Sequence, residues 1–261
     1  MELIILKLGG SIVTEKSGKP TFKDQLFDKI AKELSELEVK MLLIHGAGSY
    51  GHPIAKEYSI HKGYSNPKQL KGVTETKRSM FSLTLMIMDS LIKHNIPVVP
   101  FLSSSCMVAK SGRLVDVDLN PFKMLLDIGM VPLCSGDVIA DKNTGFTIVS
   151  GDQIAVHLAK KLGASRVIFG CDVDGIYDSD PKMNPSAKLI EKLTLDNLRS
   201  ISFQEKSLTT DVTGGMSGKI KESLDFVSSG GEVIIMNLNK PQNLNKILND
   251  EEVQCTRLLR K

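Results

Sequence analysis

The sequence has few cysteines, and none of them forms a familiar cysteine motif. Its four cysteines, Cys106, Cys134, Cys171 and Cys255, are widely spaced along 261 residues. No C-x-x-C pair occurs, which argues against a zinc ribbon and a thioredoxin-type redox site. Cys106, Cys134 and Cys171 stand beside apolar, strand-like runs, so we expect them to be buried thiols.

The sequence also has little excess of charge of either sign and few long apolar runs. The formal net charge is +3, and the Lys and Arg residues are scattered along the chain. A nucleic-acid-binding protein usually concentrates them on one face, so that class is disfavoured. The apolar run at the N-terminus is far too short for a signal peptide or a membrane span. We therefore expect a soluble protein of the reducing cytoplasm, with no nucleic-acid or membrane partner.

What the chain does contain is an alternation of strand-like and helical segments. Hydrophobic residues make up 41% of it, enough for one large α/β domain or two closely packed lobes. The predicted strands are Leu3–Leu8, Lys40–His45, Pro97–Pro100, Val131–Cys134, Arg166–Gly170 and, as the last central strand, Glu232–Met236. The predicted helices are Asp24–Leu37, Pro67–His94, Gln153–Leu162 and one that runs from an N-cap at Asp118 to Gly129. This alternation predicts a three-layer α/β/α sandwich with a mostly parallel central sheet.

Three segments depart from this alternation. Met107–Val115 and Val138–Val149 are predicted β-hairpins, with turns at 110–112 and 141–145. The Pro- and Asp-rich segment Tyr177–Ala187 is predicted to be an irregular loop. We therefore expect β-hairpins beside the sheet, and two lobes, 1–165 and 166–261, within one continuous fold.

Glycine-rich loops follow several of the predicted strands, where open α/β sheets bind their ligands. The first loop is Lys7-Leu8-Gly9-Gly10-Ser11. Its two glycines allow a close approach to an anion, and Lys7 adds a positive charge. Lys16, nine residues later, belongs to the same predicted loop. The alternative is a plain tight turn with two surface lysines.

The second loop, His45–Pro53, imitates two nucleotide-binding motifs. Gly46, Gly48 and Gly51 match G-x-G-x-x-G, but the acidic residue expected about 20 positions later is absent, because that stretch lies inside a predicted helix. A P-loop is excluded because its Lys and the following Ser or Thr are missing. What remains is a strand-to-helix turn that can hold an oxyanion, to which His52 could donate. Alternatively, His52 is a helix-start histidine bonded to the backbone.

Two further loops precede helices. In Ser150-Gly151-Asp152-Gln153, Asp152 is a helix N-cap or a functional carboxylate, and the motif alone favours the cap. In Thr213–Lys219, Lys219 falls in the first turns of a helix, where the helix dipole disfavours a cation. An anion bound at that helix end would explain the lysine.

The segment Cys171–Tyr177, with sequence CDVDGIY, carries two acidic residues, Asp172 and Asp174. A calcium loop is excluded, because the glycine falls at the wrong position and no closing Glu follows. A turn or a contact to a nucleoside is the interpretation that remains.

Taken together in this order, the motifs resemble those of the amino acid kinase superfamily. They are K-L-G-G-S, H-G-A-G, S-G-D, D-V-D-G-I-Y and T-G-G-M-x-x-K, and they span the chain from Lys7 to Lys219. Within the superfamily, G-S-Y-G-H-P and D-V-T-G-G-M-x-x-K are similar to the pattern of isopentenyl phosphate kinases. Gly170-Cys171 departs from the Gly/Ala-Thr that related chains often carry.

The resemblance implies a role for each matching residue. Those implied for catalysis are Lys7, Lys16, His52 and Asp152, with Asp152 orienting the lysines. Those implied for ATP are Lys7, Leu8, Gly9, Gly10, Ser11, Gly48, Asp172, Asp174, Gly175, Tyr177, Gly214 and Lys219. Those implied for the acceptor phosphate are Ala47, Gly48, His52 and Gly151, and Met80, Leu83 and Thr84 are candidates for a tail pocket. No protein ligand to a metal is predicted, and Mg²⁺ is expected to be held largely by ATP oxygens.

The implied reaction is transfer of the ATP γ-phosphoryl group to isopentenyl phosphate, a step of isoprenoid biosynthesis. Such an acceptor is already ionised, so the chain needs positive charge and in-line placement rather than a general base. The resemblance also implies that residues 1–165 bind the acceptor phosphate and form a homodimer through the long helix, while residues 166–261 bind the nucleotide.

Several alternatives stay open. A kinase of the same fold could act on fosfomycin, carbamate, UMP or an acidic amino acid. A non-catalytic ligand-binding relative is possible, although the chain keeps Lys7, Lys16, Asp152 and Lys219. A dinucleotide-binding oxidoreductase is disfavoured by the missing acidic residue. The stripe Met80–Ile92 could also be entirely core.

Overall fold

The computed structural model describes residues 1–16, 19–181, 183–198 and 215–261. The strands in these ranges are β1 Leu3–Leu8, β2 Lys40–His45, β3 Val98–Pro100, β4 Met107–Lys110, β5 Arg113–Val117, β6 Val131–Ser135, β7 Asp137–Asp141, β8 Gly145–Val149, β9 Arg166–Cys171, β10 Lys192–Thr194, β11 Glu232–Asn237 and β12 Cys255–Leu259. The helices are α1 Gly10–Val13, α2 Asp24–Ser35, α3 Gly48–Glu57, α4 Lys68–Lys93, α5 Ser103–Cys106, α6 Asn120–Asp127, α7 Gly151–Leu162, α8 Leu195–Leu198, α9 Gly215–Ser228 and α10 Asn243–Leu248.

The main sheet has the strand order β10-β12-β11-β9-β1-β2-β6-β3. Strands β11, β9, β1, β2, β6 and β3 run parallel to one another, and β12 pairs with β11 in the antiparallel direction. The predicted mostly parallel sheet is therefore confirmed. Glu232–Met236 forms a central strand as expected, but β12 and the three-residue β10 extend that edge and were not predicted.

Alternating side chains of β1 build the two faces of the sheet. Ile4, Leu6 and Leu8 point into a core shared with α2, α4 and α10. Ile5 belongs to the opposite core, which also contains side chains of α7 and α9. Because successive side chains of a strand point to opposite faces, Lys7 lies on the same side as Ile5. The predicted α/β/α layering is confirmed, and it directs Lys7 towards α7.

A second sheet, of order β5-β4-β7-β8, is built from the two predicted hairpins. Asp141 holds them together, because its carboxylate accepts hydrogen bonds from the backbone N–H groups of Ser111, Gly112, Asn143 and Thr144 at 2.8–3.1 Å. Both hairpin predictions are confirmed, although β5 continues two residues further, to Val117.

Other local predictions differ in detail. The predicted N-cap Asp118 is wrong, since α6 begins at Asn120 and its N-cap is Leu119. Pro121 fits the first turn of that helix, and the Asp118 carboxylate accepts from the N–H of Asn120 at 3.1 Å. In Tyr177–Ala187, the described residues form no helix or strand beyond an isolated bridge between Tyr177 and Leu189, so the predicted irregular loop is confirmed for them. Among the helices of the described ranges, none combines the length and the apolar character that crossing a membrane requires.

Candidate active site

A cavity of about 790 Å³ opens beyond the carboxyl ends of β1, β2 and β9. The loops that follow these strands form much of its wall. Three helices of ten or more residues, α3, α7 and α9, begin at the cavity with Gly48, Gly151 and Gly215. Because free N–H groups and the helix dipole give a helix N-terminus partial positive charge, this arrangement suits a polyanionic ligand.

Two lysines from distant parts of the chain meet at one buried carboxylate. The ammonium group of Lys7 lies 2.8 Å from Oδ1 of Asp152, and that of Lys219 lies 2.9 Å from Oδ2. All three side chains are largely buried. Burial opposes ionisation of Asp152, but the charges of Lys7 and Lys219 outweigh it and lower its pKa to about 2. The group therefore carries a net positive charge at neutral pH.

The cap of α7 is supplied by a neighbour of Asp152. Ser150 is the N-cap, and its hydroxyl accepts a hydrogen bond from the N–H of Gln153 at 3.1 Å. The motif had favoured Asp152 as the cap, and this interpretation is wrong. With Ser150 as the cap, the Asp152 carboxylate is not used for capping and contacts the two lysines.

A second acidic residue, Asp172, faces the cavity just after β9. Its Oδ2 lies 3.0 Å from the ammonium group of Lys16, and its Oδ1 accepts a hydrogen bond from the hydroxyl of Ser11 at 3.0 Å. Burial raises the pKa of Asp172, but the hydrogen bond and charge of Lys16 outweigh this and lower it overall. Lys16 is thus held at the rim of the cavity, beside the first glycine loop.

The first two glycine loops touch each other backbone to backbone. A Cβ atom at Gly10 would lie 2.7 Å from the backbone nitrogen of Gly48, a contact that no L side chain tolerates. Gly48 itself has a φ of +48°, in the left-handed region. Glycine is needed at both positions, because the two loops lie in direct contact.

His52 lies in the second turn of α3, half-buried in the cavity wall. The part of the wall formed by α3, α4 and the β7–β8 hairpin is more apolar, and its Ala55 and Val138 belong to one buried cluster against which Ile148 packs. The side chains on this part of the wall include Ala55, Thr76, Met80, Val138 and Ile148. The cavity therefore has a charged end at the lysines and a more apolar end near Met80.

His45, the last residue of β2, is completely buried beneath the second glycine loop. Its Nδ1 lies 3.1 Å from the carbonyl oxygen of Gly46 and its Nε2 lies 2.9 Å from the hydroxyl of Thr84. A carbonyl only accepts, so Nδ1 carries the proton. Nε2 is then an acceptor, and it shares the single proton of the Thr84 hydroxyl with the Met80 carbonyl oxygen, which lies 3.0 Å from that hydroxyl. Burial lowers the pKa of His45 to about 4, and the ring is neutral at pH 7.

The structure brings most of the predicted site residues to this one cavity. Those that line it are Lys7, Gly9, Gly10, Ser11, Lys16, Ala47, Gly48, His52, Met80, Gly151, Asp152, Asp172 and Lys219. Those that do not line it are Leu8, Leu83, Thr84, Asp174, Gly175 and Tyr177. Gly214 lies outside the described residues.

The six residues away from the wall have other contacts. Leu8 and Leu83 are buried in the core, and the Thr84 hydroxyl bonds to His45. Asp174 forms an ion pair with Lys240 at 2.7 Å and accepts a hydrogen bond from Tyr177 at 3.3 Å. Gly175 packs against Thr256. The nucleotide and tail contacts implied for these six residues stay predictions.

Sequence reasoning missed Thr14 and Asp137, which also line the cavity. Asp137 pairs with Lys77 at 2.9 Å, and its side chain is 8% exposed. No motif singles out either residue, because their partners lie on other elements. Among the described residues, no group of three or more His, Cys, Asp or Glu side chains is placed to hold a metal ion.

The comparisons with known proteins agree on one family. The model of the amino acid kinase family matches residues 2–237. Isopentenyl phosphate kinase of Methanothermobacter thermautotrophicus is 39% identical over 265 residues, covering 98% of each chain. A solved isopentenyl phosphate kinase superposes with a TM-score of 0.86 at 35% identity, covering 98% of this chain and 99% of the other. The product complex of the T. acidophilum isopentenyl phosphate kinase gives a TM-score of 0.81 at 30% identity, covering 98% and 99%. The chain therefore belongs to the amino acid kinase family and, within it, to the isopentenyl phosphate kinases.

Proposed function

We propose that this protein transfers the γ-phosphoryl group of ATP to isopentenyl phosphate, giving isopentenyl diphosphate and ADP. The observation that carries the proposal is the shape of one cavity. Its charged end joins two touching glycine loops to the Lys7–Asp152–Lys219 group, and its other end is more apolar. A phosphate monoester with a short apolar tail matches both ends. The names of the relatives point to the same acceptor.

The charged end would hold the phosphates of ATP. Lys7 and Lys219 supply positive charge from within the cavity, and Asp152 keeps their two ammonium groups close together. Lys16 adds a third charge from the rim. Phosphoryl transfer brings two anions together, so these cations and the three helix N-termini offset their repulsion and stabilise the charge that develops in the transition state.

The acceptor phosphate would lie against Ala47, Gly48 and Gly151, with His52 donating to it from α3. An oxygen of this phosphate attacks the γ-phosphorus, and ADP leaves from the opposite side. Since the acceptor is ionised at neutral pH, no side chain has to remove a proton from it. The remaining demand is geometric, and the direct contact between the two glycine loops supports it.

The alkenyl tail would extend towards Met80, Val138 and Ile148. These side chains belong to three different elements, α4, β7 and β8, and enclose the apolar end of the cavity. Met80 was among the tail-pocket candidates, whereas Leu83 and Thr84 lie off the wall. A tail of this kind is held by contact area alone, which also keeps water from the reacting phosphates.

Mg²⁺ would enter with ATP. Of the four described carboxylates that line the cavity, three are already paired, Asp152 with two lysines, Asp137 with Lys77 and Asp172 with Lys16. The fourth, Glu15, is exposed. These donors do not form a cage, so the metal would be held mainly by phosphate oxygens and water. When bound, it neutralises phosphate charge, and Lys7, Lys16 and Lys219 provide the protein's part of that compensation.

The assignments of lobes, assembly and compartment are part of the same proposal. Residues 1–165 would carry the acceptor phosphate and residues 166–261 the nucleotide. A homodimer would form through α4, whose Phe81, Leu85 and Ile92 are 43–55% exposed. The four cysteines are free thiols, as is usual in a reducing cytoplasm.

The test is turnover of purified protein with ATP, Mg²⁺ and isopentenyl phosphate, followed by ³¹P NMR for the diphosphate product. A parallel panel of fosfomycin, carbamate, UMP and glutamate separates the other acceptors. If the protein phosphorylates one of these compounds and does not phosphorylate isopentenyl phosphate, the proposed acceptor is wrong. ATP binding without turnover of any acceptor would favour a non-catalytic relative instead.

A further inference from the structure

Thr14, the residue that follows α1, joins the two glycine loops through one hydroxyl group. Its Oγ1 donates a hydrogen bond to the carbonyl oxygen of Gly10 at 2.9 Å. The same oxygen accepts a hydrogen bond from the backbone N–H of Ser49 at 3.0 Å. A threonine hydroxyl has one proton and two lone pairs, so both bonds exist together. Thr14 is 1% exposed, and part of it reaches the cavity wall.

The two bonded backbone groups belong to the two loops that meet in the cavity. Gly10 is in the first loop and begins α1, while Ser49 is in the first turn of α3 and follows Gly48 of the second loop. The two loops leave strands β1 and β2, which pair up to Leu8 and His45. One further backbone bond, from Gly46 N–H to the Leu8 carbonyl at 2.8 Å, follows the last strand pair. Thr14 continues the connection beyond that point.

The fit around this hydroxyl is tight. A Cβ atom at Gly48 would lie 2.0 Å from Oγ1 of Thr14, so the second loop passes directly against it. The Gly10 carbonyl also accepts from the N–H of Thr14 at 2.9 Å, which fixes the Gly10–Ser11 peptide plane. The hydroxyl therefore sets two things, the orientation of a peptide in the first loop and the distance of the second loop from it.

We propose that Thr14 is a positioning residue for phosphoryl transfer, which fixes the separation between the loop that holds the ATP phosphates and the loop that holds the acceptor phosphate. This inference rests on the proposed function. Each loop keeps its own anion-binding groups without the hydroxyl, so each substrate still binds. In-line transfer depends on the relative placement of the two phosphates, and a misplacement of about 1 Å costs on the order of 100-fold in rate.

The test compares two pairs of side chains that differ by one hydroxyl at position 14. Wild type and Thr14→Val form the first pair, and Thr14→Ser and Thr14→Ala the second. In each pair, loss of the hydroxyl is expected to lower kcat about 10- to 100-fold. The KM for ATP and for isopentenyl phosphate should change less than about threefold, and Thr14→Ser should keep most of the wild-type kcat. Binding of ATP, measured by calorimetry, should match the wild type in all four proteins.

A merely structural hydroxyl predicts a different pattern. It would lower the melting temperature of Thr14→Val and Thr14→Ala while leaving kcat within twofold of the matched partner, and that result would overturn the inference. So would a loss that appears in KM with kcat unchanged, because Thr14 would then contact a substrate. If Thr14→Val does not fold, the Ser and Ala pair gives the same comparison. If the wild type does not use isopentenyl phosphate, the proposed function fails separately, and the four proteins are compared on the acceptor that it does use.

Discussion

The ammonium group of Lys16 lies 3.0 Å from Oδ2 of Asp172, at the rim of the cavity rather than at its floor. The Lys16 side chain is 67% exposed, whereas Lys7 and Lys219 are largely buried around Asp152. An exposed lysine on a loop can move at little cost, because a surface ion pair contributes little stability. In the proposed reaction, Lys16 would leave Asp172 for the phosphoryl group in transit, while the two buried lysines would stay in place.

The first prediction follows from this mobility. Lys16→Ala should lower kcat about 10- to 150-fold, because it removes a charge-assisted hydrogen bond that forms in the transition state. The KM for ATP should change less. Lys19→Ala is the matched control, since it removes an exposed lysine of the same segment that does not line the cavity. Steady-state kinetics of both variants check the prediction. An unchanged kcat in Lys16→Ala would remove Lys16 from the catalytic residues.

The second prediction concerns the carboxylate between two lysines. Asp152→Asn leaves the ammonium groups of Lys7 and Lys219 buried without their counter-ion, and loss of one partner of a buried pair costs about 3–5 kcal/mol. The melting temperature should fall, and kcat should fall at least about 10-fold because the lysines are no longer held together. ATP phosphates return negative charge to the site, so ATP should raise the melting temperature of this variant more than that of the wild type.

Asp141→Asn provides the control for this experiment. Asp141 is also a buried carboxylate, but its partners are backbone N–H groups of the two hairpins, away from the cavity wall. Its variant should also melt earlier, yet ATP should stabilise it no more than it stabilises the wild type. If ATP stabilised both variants equally, the special charge relationship assigned to Asp152 would be wrong.

Much of the site was predictable because its motifs are local. Lys7, Gly10 and Gly48 stand at or just beyond the ends of neighbouring parallel strands, so strand order alone brings their loops together. The family was predictable for the same reason, and the family comparison confirms it. The edge strand β10 was not predictable, since a three-residue strand has no period of its own and depends on pairing with the distant β12.

The tail-pocket candidates show a different limit. Helical periodicity correctly puts Met80 and Thr84 on one face of α4, but it does not say where along the helix the cavity ends. The wall includes Thr76 and Met80, one turn closer to the N-terminus, whereas the hydroxyl of Thr84 contacts the buried ring of His45. Thr14 was missed because its partner Ser49 is 35 residues away in sequence.

The third prediction uses the buried ring of His45. Its pKa is about 4 in the folded chain and near 6.5 when unfolded, so between these values the unfolded state binds the extra proton. The contribution of His45 to stability should therefore fall on acidification from pH 6.5 to pH 4, by about 1.4 kcal/mol per pH unit and about 3 kcal/mol in total. Urea unfolding at a series of pH values measures this slope.

His45→Gln should remove the part of that slope that comes from one bound proton, about 1.4 kcal/mol per pH unit. The pKa of His157 is also lowered, by burial first and by nearby Lys161 and Arg113, so His157→Gln is a useful comparison and should flatten the slope less. Asp152 contributes in a separate window, because its lowered pKa removes stability only as the pH falls below about 4. If the unfolding free energies of the wild type and His45→Gln changed in parallel with pH, the His45 ring would not be buried in its neutral form.

The fourth prediction concerns His52, on which the choice of acceptor most depends. The ring lies on the wall of the cavity one turn into α3, between the second glycine loop and the apolar end near Met80. Its neighbour Gly51 is packed so closely that an added Cβ would lie 2.7 Å from the Cβ of Ala47. The helix therefore holds His52 at the position where the acceptor phosphate and its tail would meet.

A ring N–H that donates to an ionised phosphate contributes roughly 1.5–3 kcal/mol, so His52→Ala should lower kcat/KM for isopentenyl phosphate about 10- to 150-fold. The KM for ATP should change little, since the loss is specific to the acceptor. His52→Gln keeps an N–H donor and should recover part of the activity, and His61→Ala, which removes an exposed histidine away from the cavity wall, should retain it. Kinetics with both substrates and a thermal melt of each variant check this. A lower melting temperature with equal losses for ATP and acceptor would make His52 a structural residue, and full activity in His52→Ala would remove the main support for this acceptor.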